Sequence, residues 1–138
     1  MGFVYANIEL ANGGDIVLAK RHLIGDDEVR RMPLNIMVDT GSIMLAVNEE
    51  IRDYLGLDEV EEKRLSRFAD GRTMELEVVG PVEIHYEGRI CTTNALVLPG
   101  DSEPLLGAIP LEEMDLWVSP NRGMLAPAHP DGQIMILK

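Results

Sequence analysis

The chain has 138 residues, 46% of them apolar and 26% charged, which suits one soluble globular domain with a core of its own. Its formal net charge of −12 argues against nucleic acid or an anionic membrane as a main partner, since both would be repelled. A lone cysteine, Cys91, excludes an internal disulfide framework and fits a reducing compartment. The sequence opens without a basic stretch followed by an apolar core, and no apolar run approaches the roughly 20 residues of a membrane-spanning helix. A cytoplasmic protein is expected.

Taken in chain order, most segments read as short strands between turn signals. Residues 3–10 are apolar and β-favouring; Asn12, Gly13, Gly14 and Asp15 supply turn chemistry, and 16–19 reads as the returning strand. Residues 34–38 form an apolar run that ends directly at Asp39, Thr40, Gly41 and Ser42, and a second apolar run, 43–47, follows at once. Asn48 suits a helix N-cap, with Glu49 and Glu50 in the first turn, Ile51, Tyr54 and Leu55 on one face and Gly56 just past the end.

Beyond a charged stretch, 59–67, the Asp70-Gly71 pair marks a hairpin turn between extended segments. Met74, Leu76 and Val78 alternate with Glu75 and Glu77, and Val82, Ile84 and Tyr86 repeat the alternation. Glu87-Gly88 turns into the run 90–98. Leu105, Leu106 and Gly107 follow, then Pro110 as the first residue of a short helix that carries Leu111 and Met114 inward. Residues 116–118 and 124–126 flank a turn at 120–123, and 134–137 reads as a closing strand. No repeat, low-complexity segment or internal boundary divides residues 1–138. Many short strands with one or two short helices imply an all-β fold, a closed or partly closed barrel.

The chemistry centres on Asp39. Apolar runs on both sides place this acid at the rim of the core, where a carboxylate must be hydrogen-bonded, paired or functional. An Asp-Thr-Gly tripeptide taken alone also makes a plain Asx-turn. With its context, the chain resembles the retropepsin-like aspartic peptidases, the single-lobe relatives of pepsin, and is most similar to small microbial stand-alone members. The resemblance rests on Met37-Val38-Asp39-Thr40-Gly41, on a hairpin at 68–73 and on Leu105-Leu106-Gly107 ahead of a short helix; in that order it spans nearly the whole chain.

The resemblance implies a closed acid-protease barrel and an aspartic endopeptidase. Asp39 would be catalytic, Thr40, Gly41 and Ser42 would support the active-site loop, and the hairpin tip Ala69, Asp70, Gly71 and Arg72 would serve as a flap. The charged tip departs from the glycine-rich flaps of viral members. The chain has one Asp-Thr-Gly, so the resemblance implies a homodimer whose second subunit supplies the other aspartate. Residues 3–8 and 134–137 are candidate interface segments, or pack within one subunit. No metal or organic cofactor is implied, and the partners are a second copy and a peptide or unfolded protein substrate. The alternative of a different class is a dimerisation or peptide-binding module on the same fold.

Other signals carry less. His22, His85 and His129 are too scattered for a metal site, His85 lies on the polar phase of its strand, and Cys91 has no histidine near it in sequence.

Overall fold

A computed structural model describes residues 3–119, 122–135 and 137. Strand β1 (Val4–Asn12) buries Ala6, Ile8 and Leu10 on alternate positions, so most of the segment packs within its own chain. The next segment corrects an expectation. Residues 16–19 are not a returning strand but part of helix α1 (Gly13–Lys20). Asn12 decides the matter: its Oδ1 accepts the Asp15 N–H at 3.0 Å as an N-cap, while its Nδ2 donates to Leu55 O at 2.8 Å.

A 3-10 turn, Asp26–Glu28, leads into β2 (Arg31–Val38), which begins three residues ahead of the expected run. Of the apolar stretch 43–47, only the later part is strand, β3 (Leu45–Asn48). Helix α2 (Glu49–Leu55) forms as its signals predict: Asn48 Oδ1 accepts from Ile51 N at 2.9 Å, and Gly56 ends the helix at φ 63°. Ile51 and Leu55 are buried, but Tyr54 is exposed, because the helix packs along the side that places 51 above 55.

The charged stretch is a strand, β4 (Asp58–Arg67), joined by the expected hairpin to β5 (Thr73–Tyr86). Strand β6 (Arg89–Leu98) follows the Glu87-Gly88 turn, and the two-residue β7 (Leu105–Leu106) precedes helix α3 (Ala108–Glu113). Pro110 is the third residue of α3 instead of the first; Leu111 and Met114 are buried as expected. Strands β8 (Leu116–Ser119) and β9 (Met124–Pro127) form a hairpin. Its turn falls partly on Pro120 and Asn121, which lie outside the described residues.

The fold is mainly β. Seven strands run in the order β1-β2-β7-β3-β6-β5-β4, and β1 also pairs with the second half of β5, at 82–85. The ladder therefore returns on itself through six strands, while β4 covers the first half of the same β5 edge. The core lies inside this wrap and is built from Leu10, Ile36, Leu45, Val79, Val82, Ile84 and Leu106 among others. Among the described residues three α-helices stand where one or two were expected, because 13–20 is helical. No helix among the described residues is long and apolar enough to cross a membrane.

The closing strand expected at 134–137 does not form among the described residues. Ile134, Met135 and Leu137 are exposed and belong to no strand, and Ile136 lies outside the described residues. Side chains occupy the positions a strand would take. Gln133 accepts from Ile90 N at 3.0 Å and donates to Ile90 O at 2.9 Å, and Ile134 N donates to Asp115 Oδ2 at 3.2 Å.

Candidate active site

Asp39 sits at the end of β2, and its backbone is fixed before its side chain is considered. Strand β7 lies between β2 and β3, parallel to the first and antiparallel to the second. Asp39 N extends the β2–β7 ladder by donating to Leu106 O at 3.0 Å, and Ser42 N closes the turn onto Asp39 O at 3.0 Å. The chain after β7 then clasps the same turn, with Ala108 N donating to Ser42 O at 2.8 Å and Ile109 N to Ile43 O at 2.9 Å. Gly107 makes that approach possible: a Cβ there would fall 2.7 Å from Ser42 O and 2.8 Å from Ile43 C. Leu105, Leu106 and Gly107, distant in sequence, are thus brought against Asp39.

The half-buried Asp39 carboxylate is oriented by its own loop. Oδ1 accepts from Gly41 N and Oδ2 from Ser42 Oγ, both at 3.0 Å. Among the described residues it makes no salt bridge. Thr40 and Gly41 are exposed. So are two apolar side chains of the clasp, Ile43 at 66% and Ile109 at 50%.

The hairpin tip is ordered by its own contacts. Phe68 N donates to Arg72 O at 2.8 Å, Gly71 N donates to Phe68 O at 2.9 Å, and Gly71 takes φ 88°. Arg72 donates to the Asp70 carboxylate from its backbone N–H at 3.0 Å and from Nε at 2.6 Å, which holds that carboxyl below its usual range. The Arg72 guanidinium also lies over the Phe68 ring, 5.6 Å from its centre. Ala69, Asp70, Gly71 and Arg72 are exposed, and no hydrogen bond among the described residues joins them to Asp39.

Arg64, which sequence reasoning missed, and Phe68, the first residue of the expected hairpin, connect that hairpin to the acid loop. Arg64 Nη1 lies 3.2 Å from Met44 Sδ, and Phe68 packs against a small cluster of Ala46, Leu76 and Leu98, as Leu105 also does. Phe68 offered a signal, since it is one of only two phenylalanines and precedes the turn. Arg64 offered none.

A second acidic centre lies elsewhere. Asp115 is buried at φ 59°, with His129 Nδ1 at 2.5 Å from its Oδ2 and Arg89 Nη1 at 3.7 Å. Burial alone would raise this carboxyl. The His129 hydrogen bond, the Ile134 N–H and the charges of His129 and Arg89 outweigh burial and hold it below the usual range. The remaining sequence signals have plain placements. His85 is half-buried and 2.6 Å from Glu83, and His22 is exposed. Burial, aided by Glu113, pushes the Cys91 thiol far up, which leaves it un-ionised and a poor nucleophile.

Among the described residues, no group of three or more His, Cys, Asp or Glu side chains is placed to hold a metal ion. Two cavities, of about 220 and about 490 Å³, adjoin α1 and α3 respectively, and neither is lined by Asp39 or by the hairpin tip. No protein-family model matches this sequence, and no curated protein is significantly similar to it.

Proposed function

We propose that this chain is the subunit of a homodimeric aspartic endopeptidase on a closed, retropepsin-like barrel, with one Asp39 from each subunit forming the catalytic pair. The observation that carries the reading is the mounting of Asp39. Its backbone is clasped by the segment around Gly107, yet among the described residues its carboxylate is met only by donors of its own turn, Gly41 N and Ser42 Oγ. A carboxylate so placed keeps lone pairs for a water or a second carboxyl group. The exposed Thr40, Ile43 and Ile109 beside it, with Phe3, Ile134, Met135 and Leu137 at the chain ends, supply uncovered surface for a second subunit to bury.

Two carboxylates brought within a few ångströms cannot both ionise cheaply, so the pair shares one proton. The ionised member takes a proton from a water held between them as that water attacks the scissile carbonyl. The protonated member donates a hydrogen bond to the developing oxyanion, and collapse of the tetrahedral intermediate passes a proton to the leaving amine. Thr40 would brace the two loops across the axis. The hairpin tip 69–72 would close over an extended peptide and exclude water.

The test is cleavage of a denatured protein or a peptide library between about pH 4 and 7, the window of a shared-proton pair. Asp39→Asn should lower the rate by about 1,000-fold or more while sedimentation still reports a dimer. Cleavage that survives the substitution, or an active strict monomer, refutes the mechanism. An inert wild type that binds peptides tightly makes the fold a binding module instead.

A further inference from the structure

We propose that Arg64 is a specificity residue, and that the peptide this site takes carries an acidic side chain on each side of the scissile bond for Arg64 to bind. The inference rests on the peptidase reading and names a substrate class for it. In the ladder of β4 with β5, Arg64 lies opposite Leu76 and Ser66 opposite Met74. Residues directly opposite in an antiparallel pair project on one face. Leu76 is buried in the small cluster against which Phe68 and Leu105 pack, so this is the face that turns toward the acid loop. Of Arg64, Ser66, Met74 and Leu76 on that face, Arg64 alone is charged. Arg67 lies opposite Thr73 on the other face, and Arg72 gives its backbone N–H and Nε to Asp70.

The Arg64 guanidinium reaches across to the segment that leaves the acid loop. Its Nη1 lies 3.2 Å from Met44 Sδ, two residues past Ser42. A thioether sulfur is a weak acceptor. On the other side Nη2 donates to Glu61 within the same strand, and among the described residues Nε and Nη1 meet no oxygen acceptor. The guanidinium is therefore held in direction and keeps donors that a carboxylate satisfies far better than sulfur. The site is also open, since about half of the Arg64 side chain is exposed.

A peptide held between the hairpin and the acid loop passes the place where Arg64 meets Met44. The net charge of −12 repels an acidic peptide at long range, but that repulsion is screened beyond about 8 Å at physiological salt, whereas Arg64 acts in contact. A two-fold pair of Asp39 residues brings a second Arg64 with it, so the two cations flank the scissile bond at equal distances. The preferred peptide then has Asp or Glu at matching positions on both sides.

The test uses peptides with amidated C-termini, in which glutamate is moved along each side of a fixed scissile bond and compared with glutamine at the same position. At pH 6 the wild type should favour glutamate about tenfold in kcat/KM at one distance on each side, the worth of one hydrogen bond between charged groups. That preference should shrink toward pH 4, as the glutamate side chain takes up its proton near pH 4.3. Arg64→Gln should bring the ratio close to one, and Arg64→Glu should turn it in favour of lysine. Glu61→Gln should keep it, which separates recognition of substrate from a pairing that only braces β4. Binding of the same peptides to Asp39→Asn, read by fluorescence anisotropy, distinguishes the two readings. Glutamate peptides that bind through Arg64 but are never cut by the wild type sink the peptidase and leave Arg64 as the acid-binding residue. Cleavage without a glutamate preference, a preference that survives Arg64→Gln, or one that appears only for a free C-terminal carboxylate overturns this proposal and leaves Asp39 in place. Peptides that are neither bound nor cut overturn both.

Discussion

Asp39 and Asp115 stand at opposite ends of α3, and they are held in opposite ways. The start of the helix is clasped to the Asp39 turn, whose carboxylate accepts, among the described residues, only from Gly41 and Ser42, two and three residues away. Just past the helix end, Asp115 gathers its partners from far along the chain: Arg89, His129 and the N–H of Ile134. One carboxylate is positioned and left open; the other is saturated. A saturated buried carboxylate fastens segments together, and here it fixes the tail to the start of β6 and the end of α3. A carboxylate that is anchored only through its backbone keeps its oxygens for other work. The difference between the two, more than the Asp-Thr-Gly tripeptide, makes Asp39 the candidate for chemistry.

Removing a partner at each end separates the roles. Arg89 is buried, and its guanidinium donates to Met114 O at 2.9 Å, to Asp115 O at 3.2 Å and to His129 O at 2.5 Å. Arg89→Met leaves the Met114 carbonyl without its donor, takes one of two donors from the Asp115 and His129 carbonyls and removes a charge beside Asp115, and should cost about 3 kcal/mol of stability. Urea denaturation reads that loss, while cleavage per folded molecule stays near wild type. A large fall in specific activity without loss of stability would place Arg89 in the chemistry and erase the contrast.

Gly107→Ala strikes the other end. The new methyl group meets the carbonyl of Ser42 and the backbone of Ile43, so the Asp39 turn must move away from β7. A displacement of about 1 Å in a catalytic group costs on the order of 100-fold in rate. The expected result is that loss in kcat, with a smaller loss of stability, about 2 kcal/mol. Equal activity in the variant would show that the clasp does not position Asp39.

How much of this was legible before the structure follows the same division. Where the determinant was local, the sequence carried it. Asn48 and Gly56 bracket α2, Asp70-Gly71 and Glu87-Gly88 turn their hairpins, and the acid loop lies between two apolar runs. Where the determinant came from a remote partner, it did not. Residues 13–20 read as turn and strand because nothing nearby reveals that Asn12 would reach Leu55 or that Asp15 would bind Arg30. Strand β4 was missed because both its faces are exposed, which removes the alternation that marks a strand. The Asp115 cluster joins residues from β6, the end of α3 and the tail, and no spacing in the chain announces it.

A smaller change acts on the carboxylate of Asp39 itself. Ser42→Ala removes the donor to Oδ2 and leaves the backbone donor to Oδ1 in place. One lost hydrogen bond to a charged acceptor is worth about 1.5 kcal/mol, so cleavage should fall roughly tenfold. Stability should move by less than about 0.5 kcal/mol, as at other partly exposed sites. Ser42→Thr keeps a hydroxyl and should recover most of the rate.

The weakest effect concerns acid stability, and it tests whether saturated carboxylates behave alike. Asp15 accepts from Arg30 Nε at 2.8 Å, from Arg30 Nη2 at 2.9 Å and from Arg30 N at 3.0 Å, and these bonds hold its carboxyl below the usual 3.8. Asp115 is depressed as well, through His129, the Ile134 N–H and Arg89 against the opposing effect of burial. A carboxyl whose pKa is lower folded than unfolded contributes stability that is whole above its unfolded value. That contribution disappears as pH falls through the folded value. The urea midpoint of the wild type should therefore be flat in this respect above about pH 4 and decline below it. Asp15→Asn should make the decline shallower, at a cost of about 1 kcal/mol or less near neutrality, since Arg30 is half exposed and screened by solvent. An equally steep acid decline in the variant would show that the Asp15–Arg30 pair, despite its geometry, does not hold α1 to the start of β2.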